Sequence, residues 1–283
     1  MKKLIYCCLI FFLTGCSNYG QLTFVAKLPK AIKENSGIAY FQGNKAWFIE
    51  DHGNKDEIYQ IDFNGKILKE LKIKHAKNND WEDLAQDPNG NIYIADIGNN
   101  NNKRKDLIIY KISNPEKEKG DKIEAEEIKF YYPEQKEFPP KKSNLNFDAE
   151  ALFFWNDYLY IITKNRSEPF SGKALIYKVP SKKGTYKAQL VGDFTPCTTD
   201  HLCQVTSAAI SPDGKKIVLL GYGFLWIFSE FNTDNFTTGK LTTIDLGATT
   251  QLESVCFKDN NTLLISDEER ANTGRNLYSF SIN

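Results

Sequence analysis

The chain is expected to be an all-β, five-bladed β-propeller closed by its N-terminal strand, with a six-bladed ring as the alternative. Three observations support that reading. One strand–turn–strand unit recurs from end to end, β-branched and aromatic residues dominate its strands, and no long helical period competes with them. The clearest copy spans residues 80–112, DWEDLAQDPNGNIYIADIGNNNNKRKDLIIYKI. It contains an acidic strand start, a Pro-Asn-Gly turn, an apolar strand ending in Asp, a polar loop, and a strand carrying Tyr110.

The first fifteen residues stand outside the fold. Lys2 and Lys3 form a short basic region, and residues 4–13 a ten-residue apolar core. That core is too short to span a bilayer and suits a signal peptide. Residues 13–16, LTGC, have the form of a bacterial lipobox, which would make Cys16 the lipidated first residue of the mature chain. An ordinary signal peptide with a chance cysteine is the other reading. The single propeller domain would then run over residues 16–283.

Strand starts align at residues 36–39 (SGIA), 82–85 (EDLA), 150–153 (EALF), 206–209 (TSAA) and 253–256 (ESVC). Each leads to a turn, at Gly43-Asn44, Asn89-Gly90, Asn156-Asp157, Asp213-Gly214 and Asn260-Asn261, residue types that tolerate the positive φ of tight hairpins. Second strands follow at 46–49, 92–94, 159–162, 217–220 and 262–265. Third strands carry Tyr59, Tyr110, Tyr177, Trp226 and Tyr278 at matching places. Weaker fourth strands are expected at 66–73, 125–132, 185–191 and 241–246. The fifth copy runs out of chain, so residues 22–28 (LTFVAKL) are expected to pair beside it and close the ring.

Hairpin partners should share a constant index sum. That rule sets Glu82 opposite Asp96, Glu150 opposite Lys164, and Glu253 opposite Asp267. Six carboxylates, Asp51, Glu82, Asp96, Glu150, Glu253 and Asp267, would then crowd one funnel around Lys164, with Tyr222 in the same ring. Two like charges ~4 Å apart repel by roughly 4 kcal/mol at an effective dielectric near 20. Three readings stay open. The acids tie neighbouring blades through backbone N–H groups, they hold a divalent cation such as Ca²⁺, or they act as metal-free catalytic groups. Arg104 and Arg166 lie on the surrounding loops, where they form a basic rim for an anionic ligand or plain solvated charge. His52 is a candidate acid or base.

Cys197 and Cys203 bracket a short loop containing His201. In an oxidising compartment they are expected to pair as a disulfide, and the spacing matches no familiar zinc pattern. Losing Lys2 and Lys3 with the leader leaves the 36 acidic residues in slight excess, which gives no reason to expect a nucleic-acid partner. The lipid is the one membrane contact implied. Residues 17–20 (SNYG) lack an acidic cluster after Cys16, which points to an outer-membrane lipoprotein facing the periplasm.

The motifs WEDLAQDPNGNIYIADIGNN, FDAEALFFWNDYLYIITKN and LESVCFKDNNTLLISDEE resemble the β-propeller lipoproteins of Bacteroidetes-type bacteria. More distantly they resemble the SdiA-regulated and phytase-type esterase-like propellers and the NHL and gluconolactonase group. In gluconolactonase-like members a central divalent cation sits at the channel mouth, and the resemblance implies Glu82, Asp96, Glu150 and Asp267 as its counterparts here. Lys164, Tyr222, Ser36 and Thr206 depart from that pattern. The expected function is therefore binding of a small ligand or cation in an acidic channel mouth. The alternatives are a metal-dependent hydrolase of a lactone or phosphoester, with Glu253 or His52 moving protons, and a glycosidase using paired carboxylates.

Overall fold

The computed structural model describes residues 19–198, 201–248 and 250–282. Its fold is all-β and of propeller type, with strands β1 to β21 in chain order. β1 (Thr23–Lys27) is followed by a first set of four, β2 (Asn35–Ala39), β3 (Lys45–Glu50), β4 (Glu57–Asp62) and β5 (Ile67–Lys74). The second set is β6 (Trp81–Gln86), β7 (Ile92–Asp96), β8 (Leu107–Ile112) and β9 (Lys122–Tyr131). The third is β10 (Asp148–Trp155), β11 (Tyr158–Lys164) and β12 (Ala174–Pro180), then β13 (Gly184–Lys187) and β14 (Gln189–Phe194). The fourth is β15 (Val205–Ile210), β16 (Lys216–Gly221), β17 (Phe224–Ser229) and β18 (Lys240–Asp245). The last holds β19 (Leu252–Phe257), β20 (Thr262–Asp267) and β21 (Asn276–Ser281).

Apart from β13, each set is an antiparallel meander, and β1 supplies the outermost strand of the last one, pairing Thr23 with Ser279 and Lys27 with Asn276. The first and last strands of the described residues thus latch together as the sequence leads one to expect. The first strands β2, β6, β10, β15 and β19 lie side by side in a cycle, β19 returning to β2. Both faces of every meander are apolar because both are covered, so the core divides into five clusters, one between each pair of neighbours. Trp47 and Ile94 meet in one, Tyr93 and Tyr177 in the next, and Phe48 and Leu264 at the closing seam. The tight turns fall where read, with Gly43, Gly90, Asn156 and Gly214 at positive φ.

Two features depart from the expected pattern. The fourth strand of the third set is not 185–191. The chain breaks at buried Ala188, so β13 leaves its own set and runs parallel to β9, while β14 takes the outer place on β12. β9 also pairs in parallel with β5, which laces the outer edges of the first three sets.

The second departure governs the site. Every first strand carries a β-bulge near its start, at Ser36, at Glu82–Asp83, at Glu150, at Thr206 and at Glu253. One extra residue breaks the constant index sum. The residues opposite Asp96, Lys164 and Asp267 are therefore Trp81, Asp148 and Leu252, not the three glutamates.

Candidate functional site

A bulged residue leaves the ladder and its side chain is re-aimed, here from the flanks of the strand toward the axis. Ser36 and Thr206 spend that freedom on their neighbours. The Ser36 hydroxyl donates to the Glu82 carbonyl, and the Thr206 hydroxyl donates to the Leu252 carbonyl at 2.9 Å. Glu82 and Glu150 instead bring carboxylates together at the mouth of the channel. With Asp80 and Asp148, each two residues earlier, and with Asp51 after β3, they form two groups sharing Glu82. Asp51, Asp80 and Glu82 offer oxygens within 4.8 Å of one another, as do Glu82, Asp148 and Glu150.

The two groups differ in charge balance. On one side the Lys164 ammonium, 4% exposed, lies 3.2 Å from Glu150 and donates to the Tyr222 hydroxyl at 2.8 Å. Arg166 donates to Asp148 at 2.6 Å and to Glu150 at 3.1 Å. These buried acids hold both bases in the charged form, pushing Lys164 well above its usual range despite its burial. Asp148 rises only to about 6, because Arg166 and Lys164 oppose the burial and the Glu150 charge that raise it.

Nothing comparable serves the other side. Glu82 is 5% exposed, and its carboxylate accepts no hydrogen bond and makes no ion pair among the described residues. Burial, followed by the charges of Glu150, Asp51 and Asp80, pushes its carboxyl well above the usual range. Burial lifts Asp51 to about 8, against a single backbone donor, His52 N–H. Asp80 is raised by burial and relieved in part by the His52 imidazole 3.2 Å away. The space is kept by Gly98, where an added Cβ would lie 2.0 Å from a Glu82 carboxylate oxygen and 2.5 Å from the Asp80 carboxyl carbon.

Other residues singled out in the sequence lie elsewhere. Asp96 accepts from Asp80 N–H and the Asn79 amide, and Arg104 folds back on it at 3.1 Å. Asp267 accepts from Asn276 N–H at 2.6 Å and from the Tyr278 hydroxyl at 2.8 Å, inside its own meander. Neither joins the two acid groups, because the bulges moved the glutamates out of register with them. Glu253 takes a hydrogen bond from Gln251 at 2.7 Å. Cys197 and Cys203 are joined, their Cα atoms 5.8 Å apart. Cys16 and the expected signal peptide lie outside the described residues, as does the His201 side chain.

Sequence reasoning also passed over Asp83, the second residue of the β6 bulge. Fully buried on the axis, its carboxylate accepts from Leu84 N–H at 2.8 Å, Leu152 N–H at 2.9 Å, Ala208 N–H at 3.3 Å and the Ser207 hydroxyl at 3.1 Å. Ser207 in turn accepts from Val255 N–H at 3.1 Å. These amides belong to the inner edges of the first strands, which have no neighbour to pair with. Burial pushes the Asp83 carboxyl up, while four donors favour its ionised form. Asp83 closes the channel beneath the acidic mouth.

The chain matches no protein-family profile and no curated protein. Among solved structures it is similar to the PQQ-bound aldose sugar dehydrogenase of Streptomyces coelicolor, with a TM-score of 0.52 at 11% identity. That alignment covers 92% of this chain and 98% of the other. At that identity the likeness concerns the fold, and it agrees with the propeller architecture.

Proposed function

We propose that this protein is a lipid-anchored propeller of the cell envelope, facing the periplasm, whose acidic mouth binds a divalent cation at Asp51, Asp80 and Glu82. The observation that carries this reading is Glu82, a nearly buried carboxylate left without a donor between two acid groups. An all-oxygen donor set suits a hard cation, and Ca²⁺ accepts carboxylates in irregular arrangements where Mg²⁺ demands an octahedron. The Asp148–Glu150 side already has Lys164 and Arg166 in contact with its carboxylates, so the ion belongs on the other side, where only the exposed His52 imidazole touches an acid. Once bound, it would supply a positive centre for a small polar ligand in the mouth. The similar dehydrogenase is described with PQQ, which bears three carboxylates. The excess of acids here favours a cation over such a group.

Residues 19–282 close the ring without the leader, so the chain from 17 onward carries the whole fold for assay. Titrating chelator-treated protein with CaCl₂ should release or absorb heat and raise the melting temperature, and Glu82→Gln should abolish both effects. A ligand at a hundred times its Kd contributes about 2.7 kcal/mol. Absence of heat and of any thermal shift would remove the cation. For the anchor, Cys16→Ala should release the protein from membranes of cells that express the full chain.

Hydrolysis of a lactone or phosphoester is the second reading. It is favoured by His52, whose side chain is 74% exposed at the rim and 3.2 Å from Asp80, placing a proton carrier beside the proposed ion. Under it, His52→Ala would keep cation binding and lose turnover.

A further inference from the structure

We infer that the opposite end of the ring holds a second, separate binding site, for a neutral small molecule built on rings. A cavity of about 450 Å³ opens there, lined by the far ends of the first strands of all five meanders. Its volume lies within the range of ordinary ligand pockets, roughly 300–1,000 Å³. Ile38, Leu84, Leu152, Ala208 and Val255 line its inner part, and Asp83 bonds the backbone of three of them, which separates the cavity from the acidic mouth. The inference therefore stands whether or not a cation binds at the other end.

The walls define the chemistry. Tyr40, Phe154 and Trp155 present aromatic rings, and each is buttressed from behind. Tyr40 stacks on Phe63 at 6.5 Å between ring centres, Phe154 on Tyr93 at 5.8 Å, and Trp155 meets Phe231 edge-on at 5.3 Å. Such rings are already in place before a ligand arrives, which lowers the entropy lost on binding.

The lining holds one carboxylate, already satisfied, and one ammonium, which lies out in solvent. The Asp87 carboxylate is taken up by the N–H groups of Asn89 and Asn91, the Asn91 amide and the Tyr93 hydroxyl. Lys258 is exposed and lies over Phe63, 5.9 Å from its ring centre. The Gln86 side-chain amide carries no hydrogen bond among the described residues and offers its NH₂ group as donor and its carbonyl oxygen as acceptor to a bound molecule. Neutral, ring-bearing and weakly polar is the class that this wall accepts.

Benzophenone, a neutral two-ring ketone that inserts into nearby C–H bonds on illumination, tests the site directly on residues 17–283. Saturable cross-linking is expected, mapped by mass spectrometry to segments 38–41, 84–88, 152–156, 208–214 and 255–258. Ile210→Trp, which fills the cavity from its half-buried edge, should lower the yield at least fivefold, and Glu82→Gln should leave it unchanged. Cross-links scattered over the surface, gathered at the acidic mouth, or undiminished in an Ile210→Trp protein that melts like the parent would overturn the inference. Should that variant fail to fold, the cross-link map of the unaltered chain decides alone.

Discussion

Asp83→Ala is the most informative single substitution for the architecture. It removes the acceptor for three backbone N–H groups, those of Leu84, Leu152 and Ala208, and for the Ser207 hydroxyl that passes the link on to Val255. A buried donor left without a partner costs about 1–3 kcal/mol. Water entering the vacated axis would satisfy part of the deficit, so a net loss of about 3–5 kcal/mol is expected. For a chain of this length each kcal/mol moves the melting temperature by about 2–4 °C, which gives a fall of about 6–20 °C. Asp83→Asn should lie between, since its carbonyl oxygen can keep three of the four donors while its NH₂ opposes the fourth. Calorimetry and urea unfolding of the parent and both variants measure the series. A loss below about 1 kcal/mol for the alanine variant would show that Asp83 is not the hub of the ring.

Burial lifts Glu50 and Glu268 to about 7 and Asp51 to about 8. These groups keep in the folded state a proton that the unfolded chain releases near pH 4, so apo stability should fall as pH rises from about 4 to about 8. Melting in chelator at pH 5 and pH 8 checks the sign. Saturating Ca²⁺ should flatten the slope, and a rise toward pH 8 without cation would contradict the reading. Gly98→Ala drives a Cβ against Glu82 and Asp80 and should weaken Ca²⁺ binding at least tenfold by calorimetry, with circular dichroism unchanged. Deleting residues 19–28 strips β1, with buried Ala26 and Leu28, from the closing seam, and Leu22 from the cluster on the other face of the last set. The truncated protein should lose its cooperative melting transition, and a sharp transition at the parent temperature would refute the role given to the latch.

The repeat was plain in the sequence because each copy repeats the same local chemistry. Positive-φ residues mark the turns, alternating apolar strands follow them, and an unpaired leading strand faces a short last copy. The bulges were not legible. Inserting one residue in a strand start changes no composition and no periodicity long enough to notice, yet it shifts Asp96 and Asp267 away from Glu82 and Glu253. A signal for the acid cluster did exist. Asp80-Trp81-Glu82 and Asp148-Ala149-Glu150 are the same Asp-x-Glu pattern at the same place in two neighbouring copies, and it assembles the groups that share Glu82. Asp83 left no such trace, because its partners are backbone amides 69 and 125 residues away, a feature that side-chain patterns do not encode.

The pairing of Thr23 with Ser279 also sets when the molecule can become a finished object. Bringing together segments so distant in the chain is among the slowest kinds of step in folding, and it cannot begin before β21 has been made. Until β21 emerges, a growing polypeptide is therefore an open arc with raw strands at both margins. Any factor that shields such margins would act on the arc and have nothing left to grip once the circle shuts.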